Sequence, residues 1–151
     1  MVLIGVGLYM SDLPSGPGRL RLYGLHKEFG LLVLFLVMIR IVWRIINIQP
    51  RLDIPWHERW LAKIVHLAFY VLMVMMPLSG WLMSSAAGFS ASFFGLFTMP
   101  DLISSSESGR HFFHEVHEFV GYSLIALILL HFVAAMKHHF YDKDDILRRM
   151  L

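Results

Sequence analysis

The chain has 151 residues, of which 57% are hydrophobic and 16% are charged, and its formal net charge is +2. This length predicts one domain, and the composition is far more apolar than that of an average soluble protein. The absence of cysteine excludes thiolate metal ligands, disulfides and cofactor attachment through a CxxC motif. The small net charge gives no reason to expect a nucleic-acid partner.

The first ten residues are mostly apolar (MVLIGVGLYM) and stop at a turn-forming segment, residues 11–18 (SDLPSGPG). Ten residues are too few to cross a bilayer. A secretory signal peptide would show a basic start and a small-residue cleavage site, and neither is visible. We therefore interpret residues 1–10 as the second half of a transmembrane helix whose first half is missing from this chain.

Three longer apolar runs follow, at roughly residues 22–46, 61–86 and 115–138. Each is long enough to cross the hydrocarbon core of a bilayer, which takes about 20 residues of helix. The sequence therefore predicts an all-α membrane protein that is surrounded by lipid. Together with residues 1–10, the runs indicate a single four-helix transmembrane bundle over residues 1–151, with the first helix truncated at its N-terminal half.

Basic residues are distributed unequally among the ends and connections of these spans. Nine lie near the connection between the first two complete spans or at the C-terminal end: Arg40, Arg44, Arg51, Arg59, Lys63, Lys137, Lys143, Arg148 and Arg149. Four lie near the other two connections: Arg19, Arg21, Lys27 and Arg110. The positive-inside rule then predicts that the 44–63 loop and the C-terminus are cytoplasmic, and that the 11–22 and 88–110 loops face outward.

Two histidines of the last apolar segment, His117 and His131, are fourteen residues apart. At about 100° and 1.5 Å per residue, they lie on nearly the same helix face, roughly 21 Å from each other. An ionisable side chain inside a membrane is costly and is by default a candidate functional residue. Neutral imidazole is a common iron ligand, so His131 is a predicted axial ligand of haem iron. The alternative is a neutral imidazole hydrogen-bonded to another helix.

His26 and His117 both enter their spans from the predicted outer side, so we expect them at similar depths. Glycine follows each histidine by four residues, at Gly30 and Gly121. Such a glycine lies on the same helix face as the histidine and leaves room for a flat macrocycle. Close helix packing in the membrane is the alternative role for a single such glycine, but the pattern occurs twice.

Two further residues are candidates at the inner depth. Arg40 lies fourteen residues after His26, and it is interpreted either as a topological anchor or as a partner for a cofactor carboxylate. His66 is a candidate second ligand opposite His131, although His66 and Tyr70 are equally compatible with a structural contact or a small-molecule site. The other histidines are predicted to lie in solvent or at headgroup level: His57, His111, His114, His138 and His139.

These residues resemble the bacterial cytochrome b561 family of four-helix dihaem membrane proteins, which is related to the cytochrome b subunits of hydrogenase and formate dehydrogenase. The resemblance extends over essentially the whole chain, and its most specific features are the HxxxG motif at His26 and the spacing of His117 and His131. It implies one haem b between His26 and His117. It implies a second haem b held by His131 and by a histidine early in the first helix, which has no counterpart here.

The resemblance also implies a function: single-electron transfer across the bacterial inner membrane, between a donor at the outer face and quinone or another partner. Some members of the family are superoxide:ubiquinone oxidoreductases, and others accept electrons from dehydrogenases. A homo-oligomer is compatible with the sequence. Two alternatives come from other classes. A non-haem transporter or metal-binding membrane protein would gather its histidines around one central cavity, whereas a structural anchor would need none of them.

Overall fold

The computed structural model describes residues 1–47 and 55–142. Four α-helices form this part of the chain: α1 (Val2–Ser11), α2 (Pro17–Ile46), α3 (Trp56–Ala86) and α4 (Glu107–Lys137). A π-helical turn, His138–Asp142, continues α4. Between α3 and α4 lies a short antiparallel hairpin of β1 (Ser92–Phe93) and β2 (Phe97–Thr98), in which Ser92 pairs with Thr98 and Phe93 with Phe97.

Helices α2, α3 and α4 are long and apolar enough to cross a membrane, and α1 is a shorter apolar helix. The predicted all-α membrane bundle is therefore confirmed. Four of the basic residues used to predict its orientation lie outside the described residues: Arg51, Lys143, Arg148 and Arg149.

The three long helices begin before the predicted apolar spans. Helix α2 begins at residue 17, α3 at 56 and α4 at 107, whereas the spans were predicted from roughly residues 22, 61 and 115. The first turns are polar, so an apolar pattern does not include them, but they have their own start signals. Pro17 occupies the first turn of α2, where its fixed φ suits a helix. The Ser106 hydroxyl caps α4 by accepting a hydrogen bond from the Gly109 backbone N–H.

The packing of the helices leaves a gap between α2 and α4. Helix α3 packs along α4 most extensively and against α2 to a lesser extent, while α1 packs against α2. Small buried residues on α3, such as Ser79 and Ser85, allow the close approach that membrane helices need. Within the described residues, the Cα atoms of α2 and α4 almost nowhere come within 8 Å of each other.

Candidate functional site

His26 of α2 and His117 of α4 face each other across this gap. Their ring centres are 6.3 Å apart and their planes are inclined by 77°. An imidazole nitrogen binds a transition metal at about 2.0–2.1 Å and lies roughly 1.1 Å from its ring centre, so two imidazoles on opposite sides of one metal have centres about 6.3 Å apart. The predicted pairing of His26 with His117 thus has the spacing that a shared iron requires.

The Ser79 hydroxyl of α3 lies within hydrogen-bond distance of a ring nitrogen of His117. Its oxygen lies 2.8 Å from the Met76 carbonyl oxygen, to which it donates its single proton. The same oxygen lies 3.0 Å from His117 Nδ1. Because the hydroxyl proton is already used, the hydroxyl accepts a proton from Nδ1–H, which leaves Nε2 with the free lone pair. Histidines that bind metals are commonly oriented by such a bond from the other ring nitrogen.

Two glycines make room for the imidazoles. A Cβ added at Gly80 would lie 3.1 Å from His117 Cε1, and a Cβ added at Gly7 would lie 3.3 Å from His26 Cε1. Both distances are shorter than ordinary van der Waals contact, so α1 and α3 can approach the histidines only because these positions lack side chains. Sequence reasoning missed both glycines, because the signal depends on which residues of neighbouring helices share a depth.

The predicted glycines Gly30 and Gly121 have different surroundings. A Cβ at Gly30 would meet nothing within 4 Å, whereas a Cβ at Gly121 would meet the end of the Met76 side chain at 3.4 Å. Neither position is needed to seat an imidazole. Their role in leaving space for a macrocycle stays a prediction.

His26 also has a ring nitrogen that lacks a protein partner. Its Nδ1 is buried and, within the described part of the chain, has no hydrogen bond. Buried polar atoms in proteins are nearly always satisfied. The residues around the His26–His117 gap therefore fit a bound group that these two side chains would hold.

A second polar cluster lies at the inner depth. The ring centre of His131 is 6.1 Å from that of His66 and 5.3 Å from that of Phe69. The distance between His131 and His66 is again close to that of two imidazoles on one metal. Their helices, however, are α3 and α4, which pack directly together without the gap that separates α2 from α4.

Arg40 lies beside this cluster and contacts Tyr70. Its Nε donates a hydrogen bond of 3.3 Å to the Tyr70 hydroxyl, and the Arg44 guanidinium lies 5.4 Å from the centre of the Tyr70 ring. The predicted pairing of Arg40 with a cofactor carboxylate stays a prediction.

The described histidines His57 and His111 each lie beside a carboxylate at the surface. His111 lies 3.3 Å from Glu115, and His57 lies 3.9 Å from Glu58, with both imidazoles largely exposed. Residues 1–47 and 55–142 contain no group of three or more acidic or histidine side chains arranged to hold a metal ion. The histidines thus form pairs at two depths and do not converge on one central cavity.

Comparison with known proteins identifies the family of this chain. The sequence pattern of the prokaryotic cytochrome b561 family matches residues 1–151. Cytochrome b561 homolog 2 of Escherichia coli (strain K12) is 37% identical over 153 residues, which cover 99% of this chain and 81% of the relative. Cytochrome b561 homolog 1 of the same strain is 30% identical over 131 residues, 83% of this chain and 72% of the relative. The chain belongs to the prokaryotic cytochrome b561 family.

Proposed function

We propose that this protein carries single electrons across the bacterial inner membrane through haem b held between His26 and His117 and through a second haem b held by His131. As a cytochrome b561, it is a multi-pass membrane protein that binds b-type haem and transfers electrons. The main support for this proposal is the 6.3 Å distance between the ring centres of His26 and His117, which belong to helices whose backbones stay apart. The two imidazoles would hold the haem, and the gap between α2 and α4 would accommodate it.

Bound haem supplies an iron that accepts and releases one electron, and two imidazole ligands favour this over oxygen binding. The protein contributes placement and an apolar surrounding. Ser79 fixes the tautomer of His117, and Gly7 and Gly80 let the neighbouring helices close around the two rings. These features limit reorganisation of the ligands when the charge on the site changes.

The inner site is proposed on His131. Helix α4 runs without interruption from Glu107 to Lys137, so the helical rise places His131 roughly 21 Å from His117. The His66 ring lies at the distance of a second ligand, but α3 packs directly on α4, so the proposal rests on His131. Arg40 is proposed to hold a carboxylate of this cofactor in place of its bond to Tyr70.

The proposed membrane orientation and the proposed electron donor both rest on the distribution of basic residues. Arg40, Arg44, Arg59 and Lys63 cluster near one end of α2 and α3, which we assign to the cytoplasm together with the C-terminus. At the opposite end, Lys27 follows His26 directly, and its ammonium donates a 3.2 Å hydrogen bond to the Ser84 hydroxyl. A cation beside the outer site favours an anionic donor such as superoxide; a dehydrogenase docked at this face is the other proposed donor.

A quinone is proposed as the partner at the inner side. A cavity of about 460 Å³ lies between α2 and α3 and is open to the outside. Its lining is almost entirely apolar, with side chains such as Ile41, Val71 and Met75, and it also includes Arg44 and Tyr70. An apolar pocket with a few polar groups is the usual setting for an organic cofactor of this size.

These assignments can be tested on purified, haem-replete protein. We expect a b-type α band on reduction, reduction by superoxide, and reoxidation by a soluble ubiquinone analogue.

Arg44→Gln should raise the KM for the quinone roughly tenfold, as expected for loss of one charge-assisted hydrogen bond of about 1.5 kcal/mol. Lys63→Gln is the matched control, since Lys63 belongs to the same end of the bundle and lies against Trp60. Equal KM values in both variants would move the quinone to another surface, and absence of the α band would overturn the proposed function.

Ser79→Ala tests the orientation of His117. Loss of the bond to Nδ1–H makes the imidazole a poorer electron donor, which favours ferrous iron, so the midpoint potential of the outer haem should rise. A net hydrogen bond of about 1 kcal/mol corresponds to a shift of roughly 40 mV for a one-electron couple. A redox titration followed in the α band measures it. Ser79→Thr keeps the hydroxyl and should restore the original potential; a potential that is unchanged in Ser79→Ala would contradict this role.

A further inference from the structure

The segment that follows α3 is unusually apolar for a connection between helices. Residues 87–100 (AGFSASFFGLFTMP) contain no ionisable side chain, and Asp101 is the first charged residue after Lys63. The segment includes β1 and β2, and we call residues 89–99 the outer hairpin. An aqueous loop of this length would normally contain charged residues, so the composition indicates a different environment.

Contacts with α2 place the outer hairpin at membrane depth. The ring of Phe94 lies 5.3 Å from that of Phe29, and the ring of Phe93 lies 5.5 Å from that of Phe35, both in edge-to-face geometry. Phe29 and Phe35 follow His26 by three and nine residues, which corresponds to about 4.5 and 13.5 Å further along the helix. The hairpin therefore extends beside α2 to below the level of His26, although the chain leaves α3 above that level.

The backbone of the outer hairpin satisfies much of its own hydrogen bonding. The Leu96 N–H donates to the Phe93 carbonyl at 3.0 Å, and the Met99 N–H donates to the Ala91 carbonyl at 2.8 Å. The Gly95 N–H donates to the Ser92 hydroxyl at 3.1 Å. Phe94 and Gly95 both have positive φ, as in the tight turns that close two-stranded hairpins. Non-helical backbone at membrane depth is tolerated where it packs against protein, and β1 packs on α2.

The base of the hairpin is fixed to the end of α3. Trp81 Nε1–H donates to the Pro100 carbonyl at 3.1 Å, and the Leu102 N–H donates to the Ser85 hydroxyl at 3.3 Å. The Ser90 hydroxyl donates to the Asp101 carboxylate at 2.9 Å. The first charged group after the apolar segment thus lies at the base of the hairpin, where water is available.

Three large apolar side chains of the hairpin point away from the protein: Phe89, Leu96 and Phe97 are 70%, 78% and 50% exposed. The neighbouring surface of α2 is itself membrane-spanning and exposes Phe29 and Phe35. We propose that the outer hairpin is a re-entrant element, inserted into the outer leaflet, whose exposed side chains contact lipid acyl chains. This proposal does not depend on which electron donor or acceptor the protein uses.

Nitroxide labels at single cysteines test the proposal, because the chain has no cysteine of its own. The full chain with bound haem is placed in phospholipid nanodiscs, and the label at Leu96→Cys is probed with oxygen, which concentrates in hydrocarbon, and with a water-soluble nickel chelate. Phe119→Cys is the bilayer reference, since Phe119 is 73% exposed and only two residues after His117. Ser104→Cys is the aqueous reference in the same connection.

The expected result is an oxygen-to-nickel accessibility ratio at Leu96 close to that at Phe119 and well above that at Ser104. A ratio equal to that at Ser104 would place the hairpin in water and overturn the proposal. Shielding from both probes would also overturn it, because a protein segment or a second copy would then cover Leu96. Phe97→Cys provides a second position with the same expected result if Leu96→Cys does not assemble.

Discussion

His117→Ala is expected to abolish haem binding at the outer site. Without this imidazole, the haem would lose one of the two side chains proposed to hold it, the one whose ring faces His26. We expect one haem fewer per chain, measured by pyridine haemochrome against protein concentration. His26→Ala should give the same loss, while His131→Ala should remove the inner haem and leave the outer one.

The matched control for this loss is His111→Ala. His111 belongs to the same helix, six residues earlier, but it is exposed and contacts Glu115. Its haem content and spectrum should equal those of the unchanged protein. Retention of full haem content in His117→Ala would mean that the 6.3 Å pair is a structural contact, and the outer site would have to lie elsewhere.

Gly80→Val is expected to weaken haem binding at the outer site without removing a ligand. Because a Cβ at this position would lie 3.1 Å from His117 Cε1 and 3.3 Å from Nδ1, the imidazole must move away from Ser79 and lose its orientation. Disturbing the groups that orient a metal ligand typically costs 10- to 100-fold in affinity, so a loss of roughly this size should appear in a haem titration. The electron paramagnetic resonance signal of the ferric haem should also change.

Gly24→Val separates this steric effect from a general effect of valine at glycine. Gly24 lies in α2, only two residues before His26, yet a Cβ there would meet nothing within 4 Å. Its haem affinity should stay close to that of the unchanged protein. If both variants lost affinity equally, the cause would be helix packing in the membrane and not the position of the His117 ring.

The proximity of the His26 and His117 rings could be expected from the sequence because both residues lie at similar distances from the same end of the bundle. Two helices that enter the membrane from the same side place residues at equal distances from their starts at equal depth, and the charge pattern indicated the sides. The roles of Ser79, Gly7 and Gly80 were not predictable in this way. They depend on the rotation of α1 and α3 about their own axes, which packing determines and which a single apolar pattern does not reveal.

The structure of the connection between α3 and α4 was likewise only partly predictable from the sequence. Residues 88–110 were expected to form an outward-facing loop, with no structure predicted inside it. The structure shows that this connection contains a hairpin whose aromatic rings pack on Phe29 and Phe35 of α2. A continuous apolar composition was visible in the sequence. The sequence did not reveal that this segment turns back beside α2.

His117 and His131 are carried by one uninterrupted helix, α4. Any tilt, rotation or translation of α4 as a rigid unit moves both imidazoles together and preserves the distance between them. Motions of α2 and α3 relative to α4 therefore cannot change the distance between these two imidazoles. The two proposed haem ligands on α4 keep a fixed separation even when the packing of the surrounding helices changes.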